Sequence, residues 1–123
     1  MTVIERRIVG KGLAHDSALK HVMGEATYID DMPELPGTLH AALILSPVAH
    51  GKLKSVDVSA AEKMPGVVRI ILAKDIPGHN EVGPILHGEL LFAEEIVDYR
   101  GCVIGAVAAE TMAQAVKAAH AIK

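Results

Sequence analysis

Seven consecutive residues, Val103-Ile104-Gly105-Ala106-Val107-Ala108-Ala109, carry neither a charge nor a hydrogen-bonding side chain. An uninterrupted apolar run of that length reads as a β-strand. Just beyond it, Thr111-Met112-Ala113-Gln114 has the capping-box form: the threonine oxygen accepts a backbone N–H of the first turn, and the glutamine side chain reaches back. A C-terminal helix over residues 111–122 is therefore predicted directly behind the strand. Its apolar positions Met112, Ala115, Val116, Ala119 and Ile122 follow helical spacing, which leaves Gln114, Lys117 and His120 for a wetter side.

The remaining elements are shorter. In residues 38–45, Leu39, Ala41, Leu43 and Leu45 line one face while Ala42 and Ile44 make the other apolar too, the pattern of a central strand. Lys52–Val58 reads as a strand whose Leu53 and Val56 fall in opposite phases, which predicts a bulge or an edge position. Ser59-Ala60-Ala61-Glu62 is a second capping box, so a short helix is expected near 59–64, ended by Pro65-Gly66 and followed by a β-branched strand, Val67–Leu72. Gly24–Ile29 reads as a short strand that stops at Asp30-Asp31-Met32-Pro33, and Asp16-Ser17-Ala18-Leu19 as the start of a short helix. Ala73–Gly88 is a turn-rich, exposed connection, and short strands are expected around Leu90-Leu91-Phe92 and Ile96-Val97. This order predicts an α+β fold with mixed strand pairing: an arm over 1–23 and one domain over 24–123, with no internal repeat and no linker.

Composition narrows the function classes. The only aromatics are Tyr28, Phe92 and Tyr99, so the core must be built from Val, Ile, Leu, Met and much Ala. So few aromatics argue against base stacking, and a net charge of -3 argues against neutralising phosphates; nucleic acid is not an expected partner. Cys102 is the single cysteine, which excludes an internal disulfide, a Cys-rich zinc site and a cysteine-held iron–sulfur cluster within this chain and makes the cytoplasm the simplest location. No segment approaches 18 uncharged apolar residues, so no membrane span is expected. Lys123 follows the helix without a capping glycine or a polar tail, and the ending reads as a cut.

Candidate chemistry is sparse. Asp30-Asp31, with Glu25 nearby, is the only carboxylate cluster; side chains of adjacent strand residues face opposite ways, and acids before a proline turn usually accept backbone N–H bonds, so turn structure is the simpler reading. His15, His21, His40, His50, His79, His87 and His120 are scattered without an i+3 or i+4 ligand partner, and His50 is the best placed of them. Gly10-Lys11-Gly12 and Gly101–Gly105 complete neither a dinucleotide fingerprint nor a P-loop; Gly105, inside a strand, more simply admits a close neighbour. Cys102, with Arg100 near it, reads as a small buried residue, and Ser17, Ser46, Ser55 and Ser59 lack a nucleophile elbow. No catalytic, cofactor-binding or metal-ligating residue is assigned.

Gly24-Glu25-Ala26-Thr27-Tyr28-Ile29-Asp30-Asp31-Met32-Pro33 closely resembles the opening motif of the molybdenum-binding portion of xanthine dehydrogenases and aldehyde oxidases. The likeness runs upstream through Val9-Gly10 and His15–Ala18. Downstream it continues in Leu45–Leu53, Met64–Val68, Ala73–Gly78, Glu89–Ala93 and Gly105–Ala109. It is strongest toward bacterial xanthine dehydrogenases and implies the α/β hammerhead domain, a non-catalytic module ahead of the cofactor-binding region. For the parent enzyme the resemblance implies hydroxylation of a purine such as xanthine at a molybdenum-pterin centre, with electrons passing through 2Fe-2S clusters and FAD to NAD. Those groups, and the residues that hold them, are expected elsewhere in the enzyme, and this chain alone is expected to be inactive. Its expected partners are the rest of the molybdenum subunit and the iron–sulfur and FAD portion, with self-association through an exposed interface. Ala14 and Met23 depart mildly from the family pattern. More marked is Arg100-Gly101-Cys102-Val103, where a small apolar residue, glycine, glutamine or glutamate, then proline are common. A free-standing binding module with the same fold, and a relative acting on an aldehyde or another substrate, are the competing expectations.

Overall fold

The apolar run forms a strand over the range expected of it. The computed structural model describes residues 9–85 and 88–123, which divide into one unit ending at Leu35 and a second spanning Pro36–Lys123. In the first unit, helix α1 (Ala18–Met23) begins within the predicted stretch. In the second, the elements in chain order are β1 (His40–Leu45), β2 (Gly51–Lys52), helix α2 (Ser59–Glu62), β3 (Val67–Leu72), β4 (Ile96–Val97), β5 (Val103–Ala109) and helix α3 (Met112–Ala121). One sheet has the order β1-β5-β3 and the other pairs β2 with β4.

Every ladder among the described residues is antiparallel, where mixed pairing was expected. The strand–helix–strand order around α2 does bring β1 and β3 into the same direction. No parallel ladder results, because β5 inserts between them and runs opposite to both. β1 is consequently an edge strand rather than the predicted central one. The strand expected over Lys52–Val58 shrinks to the two residues of β2, extended by the Leu53 N–H to the Glu95 carbonyl (2.7 Å).

Two predicted strands are absent because their backbone groups are used elsewhere. α1 ends at Gly24 in the left-handed region (φ +74°), and the N–H groups of Glu25 and Ala26 both donate to the Lys20 carbonyl. Tyr28 then donates its N–H to the Asp31 carboxylate (3.0 Å), closing a 3-10 turn over Ile29–Asp31 where a strand end was expected. Around Leu90-Leu91-Phe92 the competitor is Asn80. Its side-chain amide donates to the Phe92 carbonyl (2.7 Å) and to Glu94 Oε1 (2.9 Å), while its oxygen accepts the Phe92 N–H (2.9 Å).

Both predicted capping boxes are altered. At α2 the cap is Asp57, whose Oδ1 accepts the Ser59 N–H (3.0 Å) and the Ser59 hydroxyl (2.6 Å). At α3, Thr111 is the N-cap and accepts the Gln114 N–H (3.3 Å), but the Gln114 Oε1 accepts from the Thr111 hydroxyl (2.8 Å) instead of reaching the backbone. The Gln114 side chain is half-buried against Gly66, whose φ of +80° suits the Pro65-Gly66 turn.

The core is as fine-grained as the composition requires. Ile44, Ala61, Ala93, Val97, Ile104, Val107 and Ala118 form one buried cluster, and Ala42, Ala109 and Ala115 a second. The inward residues of α3 are Ala115 and Ala118, with Ala119 half-buried, whereas Met112 and Val116 of the expected stripe stay exposed. Only alanine fits where the helix lies closest to the sheet, so the larger side chains rotate outward.

β5 holds the tightest contact. A Cβ at Gly105 would collide with the Ile71 carbonyl oxygen, and would stand 2.7 Å from Leu72 Cδ2 and 3.2 Å from Ile44 Cδ1. The close neighbour expected there is present. Beside it the register shifts: Ile44 pairs with Gly105 but Leu45 with Val103, leaving Ile104 as a bulge residue that drops into the core.

Three outcomes follow from these contacts. Gly105→Ala is expected to lower stability by about 1–3 kcal/mol in urea denaturation, the usual cost of overpacking, with a neutral result contradicting the contact. Asn80→Asp puts a carboxylate against the Phe92 carbonyl and Glu94; it is expected to cost about 1–3 kcal/mol in the same measurement, and Asn80→Ala about as much. Asp57 is held below its ordinary value of 3.8, first by the Ser59 hydroxyl bond and then by the Ser59 backbone bond, with smaller contributions from Lys123 and Lys63 that outweigh a slight desolvation. A carboxyl depressed in the folded state stabilises above its unfolded pKa, and that contribution fades as pH falls through the folded value. Acid thermal melts should therefore show a steeper loss below about pH 4 for the native chain than for Asp57→Asn.

Candidate functional site

The register assigns the two faces of the three-stranded sheet. Ala42 and Ile44 of β1 stand opposite Val107 and Gly105 of β5, with Ile70 and Leu72 of β3 on the far side, and this face carries α3. The other face presents Ala41 opposite Ala108 and Leu43 opposite Ala106, with Arg69 and Ile71 completing the rows. Leu43 is 53% exposed and Leu45, beside the bulge, 51%; Ala106, Ala108 and Ile71 are half-buried. This aliphatic face has no nucleophile and no acid–base pair, and what it can do chemically is pack against another surface.

At its end the chain turns through Ser46-Pro47-Val48. Ser46 is buried, donates its N–H to the Cys102 carbonyl (2.9 Å) and accepts the Gly101 N–H (2.9 Å). Its hydroxyl donates to the Val48 carbonyl (3.0 Å) and accepts the Val48 N–H (3.2 Å). Both roles of the hydroxyl are spent on the turn, so Ser46 is a structural residue. Past the turn, His50 Nδ1 lies 3.7 Å from Asp98 Oδ1, both side chains largely exposed, one step beyond the Gly51–Val97 pair of the small sheet.

The other singled-out residues are dispersed. Asp31 takes the turn role expected of it, and Asp30 is exposed beside it. Cys102 is half-buried and packs against the larger core cluster, in keeping with a small interior residue. His40 opens β1, His79 and His120 are exposed, and His87 lies outside the described residues. Among the described residues no three of His, Cys, Asp and Glu converge as a metal would require.

Two arrangements escaped the sequence reading. One is Asn80, taken only as part of a turn-rich stretch. The other lies in the first unit, where the Tyr28 hydroxyl meets His21 Nδ1 at 2.6 Å and the His15 ring stands edge-on to His21 with centroids 5.3 Å apart. The spacing of 15, 21 and 28 follows no helical or strand period, because the contact forms across the cap of α1, so no periodic signal could have found it.

The donor set does not fit a molybdenum-pterin group. The one thiol faces the core, the histidines are apart, and the open sheet face offers aliphatic carbon rather than paired hydrogen-bond donors and acceptors. No step of molybdenum chemistry is assigned to these residues.

Comparison with known proteins places the chain. Residues 23–123 match the family model described as aldehyde oxidase and xanthine dehydrogenase, a/b hammerhead domain. The chain is 45% identical to xanthine dehydrogenase of Oryza sativa subsp. japonica over 93% of its residues, and 49% identical to xanthine dehydrogenase 1 of Arabidopsis thaliana over 96%. It spans only 8% and 9% of those proteins' lengths. Among solved structures, the aldehyde oxidoreductase of Desulfovibrio desulfuricans superimposes with a TM-score of 0.83 at 32% identity, covering 95% of this chain and 14% of that one. The chain therefore belongs to the aldehyde oxidase and xanthine dehydrogenase family, and it carries that family's a/b hammerhead domain.

Proposed function

We propose that the chain serves as a non-catalytic hammerhead domain of a xanthine dehydrogenase-type molybdenum subunit, a packing module that the rest of the enzyme builds on. The observation that carries this reading is the open face of the sheet. β1 is apolar on both sides although it lies at an edge, and Leu43 and Leu45 remain half exposed while their neighbours Ala42 and Ile44 are buried. Burying the exposed half of one such leucine gains roughly 1 kcal/mol, so a partner surface laid on this face is favoured by area alone. The small share of each relative that the chain spans agrees with a module inside a much longer protein.

In this reading the domain runs from Gly24 to Lys123, in line with the family match from residue 23, and residues 1–23 are an arm. The enzyme hydroxylates a purine such as xanthine in the cytoplasm. Molybdenum-pterin, 2Fe-2S clusters and FAD are held by other parts, which are also the partners of this domain, and electrons leave to NAD. Xanthine is favoured by the names of the two plant relatives, while aldehyde oxidase 4 of Mus musculus, at 44% identity, supports an aldehyde as the second reading.

The test is to read the native transcript past the codon for Lys123 and to assay purified chain for molybdenum. A frame that continues for several hundred residues, with no metal on this chain, is the expected result. A stop at that codon, or stoichiometric molybdenum on these residues, overturns the proposal.

A further inference from the structure

A groove of about 470 Å³ opens between the Ser46-Pro47 turn, the Arg100-Gly101 turn and the last turn of α3. One wall is aliphatic, formed by Leu43, Leu45, Ala119 and Ile122; Arg100 and His120 are the only ionisable side chains that line it, and no carboxylate does. The Arg100 side chain is exposed and makes no ion pair among the described residues. Arg100 also stands where the family pattern commonly has a small apolar residue, and Cys102 where that pattern commonly has glutamine or glutamate. Both changes make this turn more positive in a chain whose net charge is -3.

From this combination we infer that the groove docks an extended segment of a partner polypeptide in which a carboxylate is flanked by branched aliphatic side chains. The carboxylate meets the Arg100 guanidinium, which stays charged at every physiological pH and offers a planar fork of donors matched to two oxygens. The aliphatic neighbours lie along Leu43 and Leu45. A small inorganic anion would leave that wall wet, and a wholly apolar segment would cover the guanidinium without pairing it, which is costly. A basic segment meets two like charges. The inference concerns this groove alone and stands whether or not the chain is part of a longer enzyme.

The test is an NMR titration of the isotopically labelled chain with two capped tripeptides, acetyl-Leu-Glu-Leu-amide and acetyl-Leu-Gln-Leu-amide. The glutamate peptide is expected to shift Leu43, Leu45 and Ala119 methyls and the Arg100 Nε resonance, and to bind about three- to fivefold tighter than the glutamine peptide, the scale of one solvent-edged ion pair. Raising the salt to about 0.5 M should narrow that difference. Arg100→Gln, at an exposed position with an unchanged thermal midpoint expected, should abolish it; His120→Gln should reduce it. Equal affinities for the two peptides, shifts that map away from the groove, or no shifts at all overturn the inference.

Discussion

How closely α3 can lie on β1 and β5 determines the shape of residues 36–123. Ala115 and Ala118 face Ala42, Ala109 and the edge of Val107, so the two layers meet through methyl groups with almost no long side chain between them. Dispersion falls off steeply with separation, and a layer this thin has no slack to absorb a misplaced atom. The same constraint explains Gly105. With β3 drawn up against β5 on one side and Ile44 on the other, no Cβ fits at that position. It also explains why Met112 and Val116 turn away from the sheet, since neither has room beneath the helix.

The elements that could be read from the sequence are those in which local and global preferences agree. Val103–Ala109, Val67–Leu72 and the helix behind Thr111 each combine an apolar pattern with a clear boundary residue, and each forms within a residue of its expected span. The readings that fail do so at places where a side chain captures main-chain groups. Asp31 takes the Tyr28 N–H, Asp57 takes the Ser59 N–H, and Asn80 takes both groups of Phe92. Such captures depend on one rotamer of one polar residue, and hydrophobic periodicity carries no trace of them.

The candidate site was legible only in its negative aspect. Apolarity on both faces of residues 40–45 was read as centrality, because a strand covered on both sides inside one domain is the usual cause of that pattern. The structure separates the two ideas: Ala42 and Ile44 are covered by the chain itself, and Ala41, Leu43 and Leu45 are not. The groove beside Leu43 could not be read at all, since it joins residues 43–47, 100–101 and 119–122 through the β1–β5 register and the path of α3. What the sequence did offer was Arg100, visible as a departure from a familiar pattern without any indication of what it faces.

The Asn80 amide has a consequence for how this chain can change. Because the connection between β3 and β4 is fastened to Phe92 by a side chain rather than by a ladder of backbone bonds, its path on either side of Asn80 is not tied to any strand register. Residues can be gained or lost between Asp75 and Asn80, or between Asn80 and Phe92, without shifting a paired strand by a residue and turning its side chains to the wrong face. The segment is free to vary in length among relatives while position 80 holds it in place. A stretch that looks least constrained by composition is thus anchored at a single residue.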